Sequence, residues 1–220
     1  MRSKTDMGQA NPGHRAFLSG IILAAGTATR MGGLKQLLSL EGRPLLQHVV
    51  DAAVASCLDE IILVLGHEAE EIRVGINTPP RVRTIVNAEY AAGQSTSLRA
   101  GLRAASPPAA AAAILLGDQP GVAAPLIDTV AAAFFDSGAC VVRPVYREAD
   151  GRCVPGHPVF WARRVWPEVE ALRGDRGGRA LLALHPEWLL EIPFEGDAPH
   201  DIDTWNDYQS TLKAAPRPTT

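Results

Sequence analysis

Lysine is scarce in this chain of 220 residues: it occurs only as Lys4, Lys35 and Lys213, against a positive charge otherwise carried by arginine. Between the two ends there is thus a single lysine, Lys35, and it lies in a glycine-rich stretch. Cysteine is scarce too. Cys57, Cys140 and Cys153 have no metal-ligand spacing, and an odd number is poor material for a disulfide framework. Cys57 and Cys140 stand beside apolar runs and read as small buried residues in a reducing compartment. A basic excess is missing: the net charge is -3 and the pI about 6.1, which argues against a nucleic acid or an anionic membrane as partner. No run approaches about 18 consecutive apolar residues and the first eighteen residues hold no apolar signal core, so a cytoplasmic protein without a membrane span is expected. Two common nucleotide fingerprints, G-x4-G-K-S/T and G-x-G-x-x-G, are absent, and the second absence argues against an NAD-dependent oxidoreductase. No convincing Ser/His/Asp or Cys/His arrangement stands in their place.

The length suits one large α/β domain, expected over residues 19–213 between flexible tails at 1–18 and 214–220. Apolar runs at Ser19–Ala25, Glu60–Gly66, Val82–Val86, Ala110–Leu116 and Ala139–Arg143 predict strands, the first buried on both faces. Pro44–Cys57 carries Leu45, Val49, Ala52, Ala53 and Ser56 at helical spacing, and His67–Ile76 is a charged helix. The alternation predicts right-handed βαβ units and a mainly parallel, doubly wound, Rossmann-like sheet. After residue 143 the rhythm changes. Gly151, Pro155, Gly156 and Pro158 punctuate Val145–Trp161, which reads as a β-ribbon or an open loop, followed by helices at Arg163–Leu172 and Gly178–Leu184, an edge strand at Trp188–Phe194 and a last helix through Leu212 capped at Thr204.

Chemistry concentrates in four places. The loop Leu23–Gln36 follows the first strand; glycines there let backbone N–H groups approach phosphate oxygens, and Arg30 and Lys35 add two cations. The plain alternative is a surface turn with solvated charges. Asp118 ends a buried strand before Gln119-Pro120. It reads either as a Mg²⁺ ligand at the carboxyl edge of the sheet or as a turn aspartate bonded to its own backbone. Asp201 and Asp203 flank Ile202 and face one side of an extended segment, so they could share a cation, or Asp203 or Thr204 could cap the last helix. Asn87 to Ser97 brings small polar groups to a helix N-terminus, which either contacts a ligand or is capped by Ser95 or Thr96.

The string Leu23-Ala24-Ala25-Gly26-x-x-x-Arg30-Met31-Gly32-x-x-Lys35-Gln36-Leu37-Leu38 resembles the signature of the nucleotidyltransferases that attach a nucleotide to the molybdenum cofactor. It is closer to the cytidylyltransferase branch; in the guanylyl branch a glycine usually stands at the place of Ala25 and an acid at that of Leu34. Leu116-Gly117-Asp118-Gln119-Pro120, the segment from Asn87 to Leu102, Gly156-His157-Pro158-Val159-Phe160, Gly174 to Arg179 and Asp201-Ile202-Asp203-Thr204 resemble further family motifs, with Trp205 where proline is usual. The resemblance implies catalytic roles for Arg30, Lys35 and Asp118, and nucleotide contacts from Leu23, Ala24, Ala25, Gly26, Gly32, Lys35, Asn87, Gly93, Ser95 and Ser97. It further implies acceptor contacts from His157, Phe160, Asp175 and Arg179, and Mg²⁺ held by Asp118 with Asp201 or Asp203. The implied substrates are CTP and molybdenum-bearing molybdopterin, with a molybdenum hydroxylase as recipient of the product. GTP, a sugar phosphate acceptor, and a cofactor-handling protein without turnover remain open alternatives.

Overall fold

The computed structural model describes residues 16–27, 31, 33–173 and 178–214. Arg30, Gly32, Asp175 and the expected tails, apart from residues 16–18 and 214, lie outside the described residues. Ten strands are described: β1 (Leu18–Ala24), β2 (Ser39–Leu40), β3 (Arg43–Pro44), β4 (Glu60–Leu65), β5 (Val82–Val86), β6 (Ala111–Leu116), β7 (Val141–Arg147), β8 (Cys153–Pro155), β9 (Val159–Ala162) and β10 (Leu189–Glu195). The helices are α1 (Leu45–Ala55), α2 (Ala69–Gly75), α3 (Gln94–Ala104), α4 (Ala124–Ser137), α5 (Trp166–Glu170), α6 (Arg179–Leu184) and α7 (Trp205–Ala214). Eight strands form one sheet in the order β10-β7-β9-β6-β1-β4-β5, with β8 paired to β7; β2 and β3 make a separate hairpin. The β1–β4, β1–β6, β4–β5 and β7–β10 pairs are parallel.

β1 shows why an apolar run becomes a central strand here. Alternate side chains point to opposite faces of a strand, and both faces are covered. Leu18, Ile22 and Ala24 join one core with α1 and α4, whereas Ile21 joins another with Leu98 and Leu102 of α3 and Trp166 and Val169 of α5. A strand buried on both sides is the expected signature of a parallel layer between helices. The mainly parallel α/β sheet therefore forms as the sequence predicts.

The region after residue 143 departs in detail. β7 runs on to Arg147, and the ribbon is a β7–β8 hairpin followed by β9, which inserts antiparallel between β6 and β7. The helix expected at Arg163–Leu172 is a 3₁₀ turn at Arg163–Val165 followed by the short α5, and the edge strand starts at Leu189 because Trp188 closes a 3₁₀ turn. Thr204 and Asp207 cap α7 reciprocally: Thr204 N–H donates to Asp207 Oδ2 at 2.7 Å and Asp207 N–H to Thr204 Oγ1 at 3.2 Å. Among the described residues no helix is long and apolar enough to cross a membrane. No disulfide joins the three cysteines; Cys57 and Cys140 are half-buried and Cys153 is exposed.

One expected acceptor residue moves into the core. Phe160 on β9 is 0% exposed and stacks on Phe134 of α4 with ring centroids 6.0 Å apart. Its neighbour on the same strand, Trp161, faces the opposite core. A ring that reaches no solvent has no surface to offer a ligand, so the apolar matter of the motif serves packing. Phe160→Ala is expected to lose about 3–5 kcal/mol of stability in urea denaturation, whereas Phe160→Leu should leave the Michaelis constants within about twofold; a raised constant at unchanged stability would return Phe160 to the site.

Candidate active site

The site is built at one edge of the sheet by strand register. Leu23 of β1 lies opposite Leu116 of β6, and Ala24 opposite Leu65 of β4, so the three parallel strands end together. Ala25-Gly26, Gly66 and Gly117-Asp118 emerge side by side at their carboxyl ends, where open α/β sheets form their ligand crevices. Gly117 permits this closeness: a Cβ there would meet the Ala24 side chain at 2.9 Å and the Leu23 carbonyl oxygen at 3.1 Å.

Lys35 stands on the 3₁₀ turn that ends the glycine loop. Its ammonium donates to Asp118 Oδ2 at 2.7 Å and to Asp203 Oδ1 at 2.8 Å, with the lysine side chain 11% exposed. The turn is stapled in place by Gln36, whose buried amide donates to the carbonyl oxygens of Ala24 at 3.3 Å and Gly26 at 3.2 Å. Burial alone would lower the Lys35 pKa, but the Asp118 charge and hydrogen bonds to Asp118 and Asp203 outweigh it, so the group lies above its ordinary value and is a cation throughout the neutral range. The structure thus joins three of the expected residues. Asp118 is engaged across the sheet edge, and Asp203 turns to Lys35 while Thr204 and Asp207 cap α7. Asp201 is placed differently: its Oδ1 accepts from the Gln119 amide at 2.7 Å. Burial and then the Asp118 charge raise its pKa above the usual carboxylate value, against the lowering hydrogen bond from Gln119.

A cleft of about 390 Å³ opens beside Asp118. Leu23, Ala25, Gly26, Gly93, Ser97 and Asp118 line it as expected, together with Thr27, Tyr90, Ala91, Gln94 and Leu116. Tyr90 lies in the segment from Asn87 to Leu102 that resembles a family motif; its seat is decided by Gly66, where a Cβ would meet the side chains of Tyr90 at 2.7 Å and Ala25 at 2.8 Å. Four expected nucleotide contacts are not on the cleft wall, Lys35 among them, since its ammonium is turned to Asp118 and Asp203. Ala24 points into the core, and Ser95 is 0% exposed. Asn87 is buried and donates to Thr96 Oγ1 at 2.8 Å and Ser97 Oγ at 3.0 Å, so it fixes the first turn of α3. Neither Ser95 nor Thr96 is the cap; Gly93 occupies that position and Thr96 Oγ1 donates back to the Gly93 carbonyl at 2.8 Å. Alternation of direction along the helix explains the split: Ser97 faces the cleft while Ser95 is turned inward.

His157 precedes β9 at the carboxyl edge of β6 and is half-buried. Burial, with the Arg143 and Arg179 charges added, pushes its pKa down to about 4, so the imidazole is neutral near pH 7. Arg179, at the start of α6, is exposed, and Arg143 pairs with Glu191 at 2.6 Å.

The donor set suits a hard divalent ion. Asp118 and Asp203 place carboxylate oxygens within 2.8 Å of one cationic nitrogen, so both already reach a single point of positive charge. Mg²⁺ and ions like it take one or two carboxylates and fill their remaining positions with water and substrate phosphate. Among the described residues no preformed cage of three or more His, Cys, Asp or Glu exists.

The model of the MobA-like NTP transferase domain matches residues 20–189. The purine catabolism protein PucB of Bacillus subtilis (strain 168) is 31% identical over 208 residues, covering 90% of this chain and 97% of its own. The crystal structure of the Rv0371c homolog from Mycobacterium sp. strain JC1 has a TM-score of 0.80 at 30% identity, covering 91% of this chain and 98% of that one. Rv0371c of Mycobacterium tuberculosis H37Rv, solved in complex with manganese, has a TM-score of 0.71 at 30% identity over 91% of this chain and all of its own. The matched span holds the glycine loop, the cleft and Asp118, and the chain belongs to the MobA-like NTP transferase family of nucleotidyltransferases.

Proposed function

We propose that this protein transfers CMP from CTP to the terminal phosphate of molybdenum-bearing molybdopterin in the cytoplasm, giving the cytosine dinucleotide form of the cofactor and pyrophosphate. The observation that carries the reading is the Lys35 ammonium held between Asp118 and Asp203 beside the cleft. An acceptor phosphate oxygen forms a bond to the α-phosphorus as the bond from that phosphorus to the β-phosphate oxygen breaks, and the electron pair leaves with pyrophosphate. Such a reaction asks the protein for in-line placement and charge neutralisation rather than covalent work. Lys35, a cation across the neutral range, neutralises α-phosphate oxygens, with Arg30 from the glycine loop on the departing pyrophosphate. Asp118 and Asp203 hold Mg²⁺, which supplies Lewis-acid neutralisation of the phosphates. The acceptor needs no general base, because a phosphate monoester loses its second proton near pH 6.

Residues from β7 onward serve the acceptor. Neutral His157 and the Arg143 and Arg179 charges that act on it supply polar and cationic groups for the acceptor, with Asp175 as a further contact implied by the resemblance. Ala25 stands at the cleft where the guanylyl branch has glycine, and that resemblance favours CTP. The manganese in the Rv0371c complex supports a divalent ion.

Purified protein with Mg²⁺, molybdenum cofactor and each of the four triphosphates should release pyrophosphate with CTP alone; release with GTP alone points to the guanylyl branch, and tight cofactor binding without release to a handling role. Lys35→Met and Asp118→Asn should each lower kcat by about 100-fold or more while keeping a cooperative melt; normal turnover in both would place the chemistry elsewhere. The rate should fall on the acid side near pH 6, where the acceptor phosphate gains a proton. His157→Asn should raise the acceptor KM without moving that limb, since His157 titrates at about 4; a shifted limb would make the imidazole a proton carrier.

A further inference from the structure

The segment from Asp201 to Asp203 is docked along the sheet edge like a short strap. The Ile202 N–H donates to the Asp118 carbonyl at 3.1 Å. The Ile202 side chain is 0% exposed and sits among Met31, Leu40 and Leu45, which brings the glycine loop, the β2–β3 hairpin and α1 onto one residue. The flanking aspartates have different partners. Asp203 meets Lys35, and through it Asp118, whereas Asp201 meets the side chain of Gln119, the residue after Asp118. Gln119 is 6% exposed, and its Oε1 has no hydrogen-bond partner, so its one side-chain bond, to Asp201, orients the amide.

Resting on the nucleotidyl-transfer reading, we propose that Asp201 is a positioning residue: through Gln119 it holds the strap in register with Asp118, and Asp203 alone supplies the second carboxylate for the divalent ion. The physical ground is the pleat of an extended chain. A slip of one residue would turn Ile202 outward and swing both aspartates into the apolar pocket. Three contacts prevent it: the buried Ile202 side chain, its N–H bond, and the Gln119–Asp201 bond, which lies next to the carboxylate it must align. A buried amide donating at 2.7 Å occupies one Asp201 oxygen with a neutral donor, while the Asp203 oxygen lies at the cationic point that Asp118 also reaches.

The test compares Mn²⁺ binding by electron paramagnetic resonance, with CTP present, in Asp201→Asn, Asp201→Ala, Gln119→Ala, the double variant Gln119→Ala/Asp201→Ala and Asp203→Asn. Asn at 201 keeps an acceptor for Gln119 and loses the charge, so Mn²⁺ affinity and kcat should stay within about threefold of the native protein. Asp201→Ala and Gln119→Ala should each cost about tenfold in kcat, and the double variant no more than either, because both remove one bond. Asp203→Asn should weaken Mn²⁺ by about 100-fold. The inference is overturned if Asp201→Asn weakens Mn²⁺ as much as Asp203→Asn, or if Gln119→Ala changes nothing. The binding readout decides this even if no triphosphate gives pyrophosphate, a result that would sink the proposed reaction instead. Melting curves on every variant separate loss of fold from loss of register.

Discussion

A lysine ammonium shared by two carboxylates is the contact on which this structure turns. The partners of Lys35 are 83 and 168 residues away along the chain, and they arrive from the end of a central strand and from the segment before the last helix. A cation so little exposed is costly to desolvate unless it is paired. Each carboxylate in turn has its charge compensated by the lysine. Loop, strand end and C-terminal segment are therefore tied to one point, and none can move far without breaking a bond to the little-exposed ammonium.

The sheet gives that point its place and its neighbours. β1, β4 and β6 end in register, so their exits form a common rim, and small residues at Gly66, Gly117 and Ala25 let the rim stay tight. α3 begins at the same rim and turns Ser97 and Gln94 toward the cleft. Beyond β6 the antiparallel insertion of β9 carries His157 to the carboxyl edge, since a strand running the other way starts where its neighbours finish. One edge of one sheet thus collects residues from both halves of the chain.

Much of the parallel half was legible because continuous apolar runs with glycine or polar exits admit few other readings. β4, β5 and β6 fall within a residue of their expected limits, and Asp118 stands at a strand end as its Gln-Pro neighbours imply. The site was less evenly legible. Motif membership attaches to a stretch, but the direction of each side chain depends on how its element is rotated. Hence Ser97 lines the cleft and Ser95 is enclosed, and Phe160 packs against α4 instead of facing a ligand. Asn87 was expected at the nucleotide and instead braces α3. The order β7-β9-β6 could not be read at all, because a four-residue strand among glycines and prolines has no periodicity that names its partner.

Sequence alone determined the alternating strands and helices, the glycine loop with a lone lysine, and the acidic residues able to meet a cation, since burial pattern and side-chain chemistry are local properties. Tertiary structure alone decided which of two neighbouring aspartates faces Lys35, which serine reaches the cleft and where β9 is inserted. Those outcomes follow from register and packing between segments far apart in the chain, and no local pattern encodes the angle at which two such segments come to rest.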